Sequence, residues 1–227
     1  MTRIVYLCAD PGIAYGGTKG ASVHVAELTA ALAGEGADIL LAVTRIDPDA
    51  SPPPPGVELM LLAGPARTPV DVKERADAEA SRAEWLADRA HEWGAAMLYE
   101  RMALHAEAGG IAARAAGIPH VVELNAPLPE EAARYRRLED PARACDAEGR
   151  VLRAADAVLA VSRPLAYYAR RRGARRVDVV PNAVNPARFP LGADAERQPP
   201  TAVFAGSLRP WHGARVLADA WRLLGRD

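Results

Sequence analysis

Apolar residues along this chain come in short, unalternated runs, separated by stretches of helical spacing and by turn residues. Ile4, Val5, Tyr6 and Leu7 form the first run, which ends at Asp10-Pro11-Gly12 and predicts a buried strand at the start of the chain. A glycine-rich loop over 12–20 leads into a helix on which Val23, Leu28, Ala31 and Leu32 recur at helical spacing, closed by Gly34-Glu35-Gly36. Residues 39–43 read as a second buried strand. Four consecutive prolines at 52–55 keep 47–56 out of any sheet, and 57–62 supplies a third strand. The pattern then predicts a long helix over 70–93, a strand over 95–99, a helix ending at Ala116 before Gly117-Ile118-Pro119, and a strand over 120–124. A polar helical region follows to Ala155, interrupted at Pro141. Beyond it lie a strand over 157–161, a helix over 165–172 and a strand over 177–180.

Apolar strands without two-residue alternation, interleaved with helices, indicate an α/β fold: a Rossmann-like parallel sheet with helices on both faces. Such sheets bind ligands beyond the carboxyl ends of their strands. The informative loops are therefore those after Cys8, Tyr99, Leu124, Val161 and Val180. Residues 194–200 turn polar and end in Pro199-Pro200, as a linker does. A strand over 202–205, a loop over 206–213 and one helix then restart the pattern. The expected layout is a first domain over 1–193, a linker over 194–200, and the truncated start of a second Rossmann-like domain over 201–227, because a lone strand and helix cannot bury their apolar faces.

Composition narrows the function classes. Half of the residues are hydrophobic, enough for a substantial core, and 28 basic against 29 acidic residues give no net field that points to nucleic acid. Cys8 and Cys145 form no C-x-x-C pair and match no zinc spacing, so a reducing compartment is expected and no metal site. The first apolar run is too short for a signal peptide, and no run approaches ~18 uninterrupted apolar residues. A soluble, cytoplasmic protein is expected, with peripheral contact to a membrane surface left open.

Three loops carry candidate chemistry. Gly16-Gly17-Thr18-Lys19-Gly20 lies between the first strand and helix, where backbone amides and a helix N-terminus favour an anion. It is not a P-loop, because Thr18-Lys19 reverse the required order, and not a dinucleotide fingerprint, because Tyr15 occupies a glycine position. A loop glycine needed only for a tight turn is the competing reading. The second loop is Pro181-Asn182-Ala183-Val184-Asn185-Pro186-Ala187-Arg188-Phe189. The third is Phe204-Ala205-Gly206-Ser207-Leu208-Arg209-Pro210-Trp211-His212-Gly213.

In this order, and with Val161-Ser162 before a helix, these motifs resemble the family 4 glycosyltransferases, which have the GT-B fold. Family members read "PNGVD…F" and "GRL…KG" where this chain reads "VPNAVNPARF" and "FAGSLRPWHG". The resemblance spans residues 3–222. It implies a retaining, metal-independent enzyme without a cofactor, moving a hexosyl unit from a nucleotide-diphosphate sugar to a carbohydrate or lipid-linked acceptor. Gly16 and Gly17 inherit the cleft-facing loop, with Lys19 either a phosphate contact or a solvated lysine. Ser162 and Asn182 belong to the matched motifs.

The family's basic pair for the donor diphosphate falls here on Ser207 and His212, with Arg209 able to take over part of that charge. Many relatives place a histidine at the end of the strand that closes here with Glu123-Leu124-Asn125. Glu123 and Asn125 are therefore the catalytic candidates, Asn125 as a sugar-hydroxyl ligand or a turn residue. Glu100 and Arg101 follow the preceding strand, Arg101 as a donor or acceptor contact, with a mutual ion pair or solvent exposure as the competing explanation. His24 reads as an ordinary packed or surface histidine. The family's E-x7-E pair has no counterpart, since no glutamate follows Glu196. The resemblance thus implies little or no transferase activity for this polypeptide alone, and a complementary C-terminal half or self-association through 201–227 as a partner. Two rivals remain: a catalytically inactive sugar- or partner-binding module, and a Rossmann-type NAD-dependent oxidoreductase. The broken fingerprint at Tyr15, and a second strand without an acid at its end, argue against the second.

Overall fold

A computed structural model describes residues 1–62, 72–136, 138, 140–188, 201–206, 208 and 212–224. The chain divides into two compact units, Met1–Ala183 and Val184–Asp227. The expected linker over 194–200 lies outside the described residues.

In the first unit, strand β1 (Thr2–Cys8) is followed by α1 (Gly20–Gly34), β2 (Ala37–Val43), β3 (Val57–Leu61), α2 (Val72–Trp93), β4 (Met97–Arg101), α3 (Ala108–Ala116) and β5 (His120–Leu124). Helices α4 (Leu128–Tyr135) and α5 (Pro141–Ala154), β6 (Ala157–Ala160), α6 (Arg163–Arg171) and β7 (Val177–Val179) complete it. All seven strands are parallel, in the order β3-β2-β1-β4-β5-β6-β7. The order reverses beside β1, which opens the crevice used by doubly wound folds between the ends of β1 and β4.

The two faces bury different residues. Ile4, Tyr6 and Cys8 pack with Ile39, Leu41, Val43 and Val25 under α1. On the other face Val5, Leu7, Leu40 and Leu98 pack with Ala83, Leu86 and Ala90 of α2 and Ala112 and Ala113 of α3. Val122, Leu124, Val158 and Ala160 pack with Val151 and Leu152 of α5 and with Ala166 and Ala169 of α6. Local chemistry sets the helix ends. Asp140 accepts from the Arg143 amide at 3.0 Å with Pro141 next in line, and Ser162 caps α6 through the Leu165 amide. Gly117, at φ 68°, closes α3 in the left-handed conformation.

Two expectations are corrected. The fourth strand runs over Met97–Arg101 rather than 95–99, which puts Glu100 and Arg101 inside the sheet. Residues 202–205 do not form a strand, because among the described residues no neighbouring strand offers them a ladder; the helix after them, α7 (Ala214–Leu224), is present.

Candidate functional site

The loop after β1 is stitched to the chain beyond β2. Asp10 accepts the Gly12 amide on its side chain at 2.7 Å and the Thr44 hydroxyl on its carbonyl at 3.1 Å. Tyr15 exchanges backbone hydrogen bonds with Arg45 and Asp47. Gly16 is at φ 77°, and a Cβ there would lie 2.2 Å from that of Ala50, so only glycine fits. Lys19 donates to the Gly12 carbonyl at 2.9 Å and ties the two ends of the loop together.

The most connected polar centre is Glu123, on β5. Its buried carboxylate accepts from Arg101 Nη1 at 2.6 Å, Tyr99 Oη at 2.7 Å, His24 Nε2 at 2.9–3.0 Å, and Asn125 Nδ2. Register explains the pairing: Arg101 stands opposite Glu123 across β4 and β5, and Tyr99 is two residues back on the same face. His24 reaches the carboxylate from the second turn of α1 with its side chain 20 % exposed. Burial by itself raises the Glu123 carboxyl. The hydrogen bonds from His24, Asn125 and Tyr99, with the charge on His24, outweigh it and hold the pKa at about 2.

Neighbouring groups move the other way. Burial, then the Glu123 charge, pushes the Tyr99 hydroxyl upward, and burial takes the Cys8 thiol to about 11. Tyr6 stacks on Tyr99 with ring centres 5.0 Å apart. Glu123 is therefore ionised throughout the physiological range, and several donors engage its oxygens. Such a carboxylate is a poor proton shuttle and a good anchor, here for a guanidinium, an imidazole and an amide at the carboxyl edge of the sheet.

The structure thus gathers Glu123, Asn125 and Arg101 from the sequence candidates and adds His24 and Tyr99. His24 is a packed histidine, and its Nε2 lies against the Glu123 carboxylate. Glu100 and Arg101 do not pair with each other. Glu100 points to the opposite face, is fully buried, and meets His120 Nε2 at 2.8 Å. The other candidates sit along the same edge: Gly16, Gly17 and Lys19 after β1, Ser162 as the cap of α6, and Asn182 exposed after β7. Ser207 and Arg209 lie outside the described residues. His212 belongs to the second unit, near Gly206. Among the described residues no group of three or more His, Cys, Asp or Glu is placed to hold a metal ion, and no helix is long and apolar enough to cross a membrane. An open groove of about 540 Å³ between α2 and α3, lined by Ala83, Ala87 and Ile111, lies on the face away from Glu123 and offers no comparable set of convergent donors.

Solved structures share this architecture. Sucrose-phosphate synthase from Thermosynechococcus elongatus superposes with a TM-score of 0.58 at 15% identity, over 86% of this chain and 54% of that one. A glycosyltransferase from Rickettsia africae ESF-5 gives 0.58 at 13% identity, over 99% and 57%. HepE from Anabaena, in complex with UDP-glucose, gives 0.50 at 16% identity, over 82% and 45%. The chain spans about half the length of these structures. No curated protein matches it. The sequence model described as Glycosyltransferase Family 4 matches residues 18–188, more than half of the chain. The chain belongs to Glycosyltransferase Family 4.

Proposed function

We propose that this polypeptide forms one wall of the active cleft of a retaining, metal-independent hexosyltransferase, which takes a nucleotide-diphosphate sugar as donor and a carbohydrate or lipid-linked molecule as acceptor. The observation that carries this reading is the Glu123 centre at the carboxyl ends of β4 and β5, where a family 4 enzyme handles the transferred sugar. Departure of a diphosphate leaves negative charge on the leaving group, and prearranged donors and cations stabilise it. Arg101 and His24 are assigned that electrostatic task and Asn125 a sugar hydroxyl. Glu123 is a positioning residue that fixes all three. Gly16 and Gly17 give the ligand room at the loop, and Lys19 is the nearby cation. Ser207, Arg209 and His212 are assigned to the donor diphosphate on the family resemblance alone. HepE, with its bound UDP-glucose, supports a nucleotide-sugar donor. The free cysteines Cys8 and Cys145 suit a cytoplasmic site of action.

Saturation-transfer NMR on the purified 227-residue polypeptide tests the reading with UDP- and GDP-hexoses, simple glycosides and NAD. Sugar-ring signals should appear with wild type and weaken with Asn125→Ala and Arg101→Ala. Signals from NAD alone, or from no sugar, overturn the proposal. The same polypeptide is expected to turn over no nucleotide sugar by itself, since residues 197–227 hold no glutamate to supply the family's E-x7-E pair; turnover in a radiolabel assay overturns that part. Binding without turnover in any longer form of the protein would favour a sugar-binding module.

A further inference from the structure

Helix α6 buries Ala166 and Ala169 against the sheet and turns a different set of residues outward. Arg163, Tyr167, Arg170 and Arg171 fall at i, i+4, i+7 and i+8, the spacing of one helical face, and all four are exposed, Tyr167 at 61%. Past the turn at Gly173, Arg175 and Arg176 are exposed as well. Arg170 Nη2 donates to the Val177 carbonyl at 2.8 Å, which holds the start of β7 against the end of the helix and joins the two groups into one patch.

Charge is segregated here. Residues 163–180 contain six arginines and a single acid, Asp178, in a chain whose net charge is −1, so the remainder is net acidic. Arg163 and Arg175 have no ion-pair partner among the described residues. Arg171 lies over the Tyr167 ring, 5.9 Å from its centre, and that contact leaves its charge intact. Arg176 and Asp178 are 3.3 Å apart with both side chains exposed, a geometry that holds little of the charge back from solvent. Arg172 differs, turning toward Glu130 and the Tyr168 ring, and is not part of the patch.

We propose that the outward face of α6 and the turn after it, Arg163, Tyr167, Arg170, Arg171, Arg175 and Arg176, is a docking surface for an anionic lipid bilayer. Clustered guanidinium groups are drawn to negatively charged headgroups, and an exposed aromatic ring among them enters the interfacial layer. The Tyr167 ring, 61% exposed, gives this surface an apolar component that a headgroup layer takes up and a phosphate backbone does not. The surface is independent of the transferase reading, because none of its residues belongs to the Glu123 centre.

Co-sedimentation of the 227-residue protein with phosphatidylcholine vesicles, with and without 30% phosphatidylglycerol, tests it. The protein should pellet with the anionic vesicles in low salt, stay in solution with the neutral ones, and be released in high salt as charge is screened. Arg163→Gln, Arg171→Gln and Arg175→Gln combined should weaken anionic binding at least tenfold, with an unchanged circular dichroism spectrum. Arg114→Gln, on α3, should bind as wild type. Equal pelleting with both vesicle types, no pelleting with either, or wild-type binding by the triple variant overturns the proposal. So does retention of a duplex oligonucleotide in the absence of vesicle binding.

Discussion

Glu123→Gln keeps the shape of the side chain and removes the charge that Arg101 and His24 face. The glutamine oxygen still accepts one or two of the existing hydrogen bonds, but the guanidinium, with its side chain 11% exposed, loses its counter-ion. Losing one partner of a buried pair costs about 3–5 kcal/mol. The pH dependence has a definite sign. The folded carboxyl titrates at about 2, below the 4.5 of an unperturbed glutamate, so its ionisation stabilises the fold above pH 4.5. That contribution is lost as pH falls from 4.5 towards 2, and the shift corresponds to about 3 kcal/mol. Urea unfolding should therefore show Glu123→Gln less stable than wild type by roughly that amount at pH 7, with a gap that narrows steadily below pH 4.5. A gap that stays constant down to pH 3 would mean that the charge on Glu123 is not what holds the centre together.

At the scale of single elements, α3 shows a helix shaped by the strand beneath it. Alanine is normally better than glycine inside a helix by about 1 kcal/mol. At Gly109 the added Cβ would sit 2.2 Å from Glu100 Oε2 and 2.9 Å from a Leu7 methyl. Glu100 cannot swing aside without leaving His120 and a site where it is fully buried. Gly109→Ala should thus destabilise by about 1–3 kcal/mol. Gly34→Ala, with nothing within 4 Å of its Cβ, should be neutral or slightly stabilising. Thermal unfolding of the two variants checks this, and an equal response at both sites would refute the packing argument. The same pair explains why β4 is misplaced in the sequence pattern. Glu100 and Arg101 look like loop residues because the partners that let them enter the sheet, His120 and Glu123, lie about twenty residues away on another strand. β5, whose run over His120–Leu124 is apolar apart from those partnered residues, is read correctly from end to end. His24 was the least legible residue of the site. Its partner is 99 residues distant, and only the strand order brings α1 to the end of β5. Arg101, Glu123 and Asn125 were within reach because parallel sheets concentrate their chemistry at one edge.

Across the whole first unit, the strand order makes β1 the keystone, hydrogen-bonded to β2 on one side and β4 on the other. Cys8 ends that strand, fully buried, and burial lifts its thiol to about 11. Two barriers then keep it from reacting: almost no thiolate forms near neutral pH, and no reagent reaches it while the sheet is closed. Cys145 lies on α5 and is partly exposed. The two cysteines therefore report different processes. In native buffer a chromogenic disulfide should label one thiol promptly, and a Cys145→Ala variant should remove that phase. Labelling of Cys8 requires β1 to part from its neighbours, which breaks the central ladder and amounts to opening the unit as a whole. Its extent in a short pulse should follow the urea unfolding transition seen by circular dichroism, with the same midpoint. If Cys8 were instead labelled well below that midpoint, the edge of the sheet that carries Glu123 and Arg101 would open separately from the rest. The site would then be built on the least stable part of the fold and not on its most constrained strands.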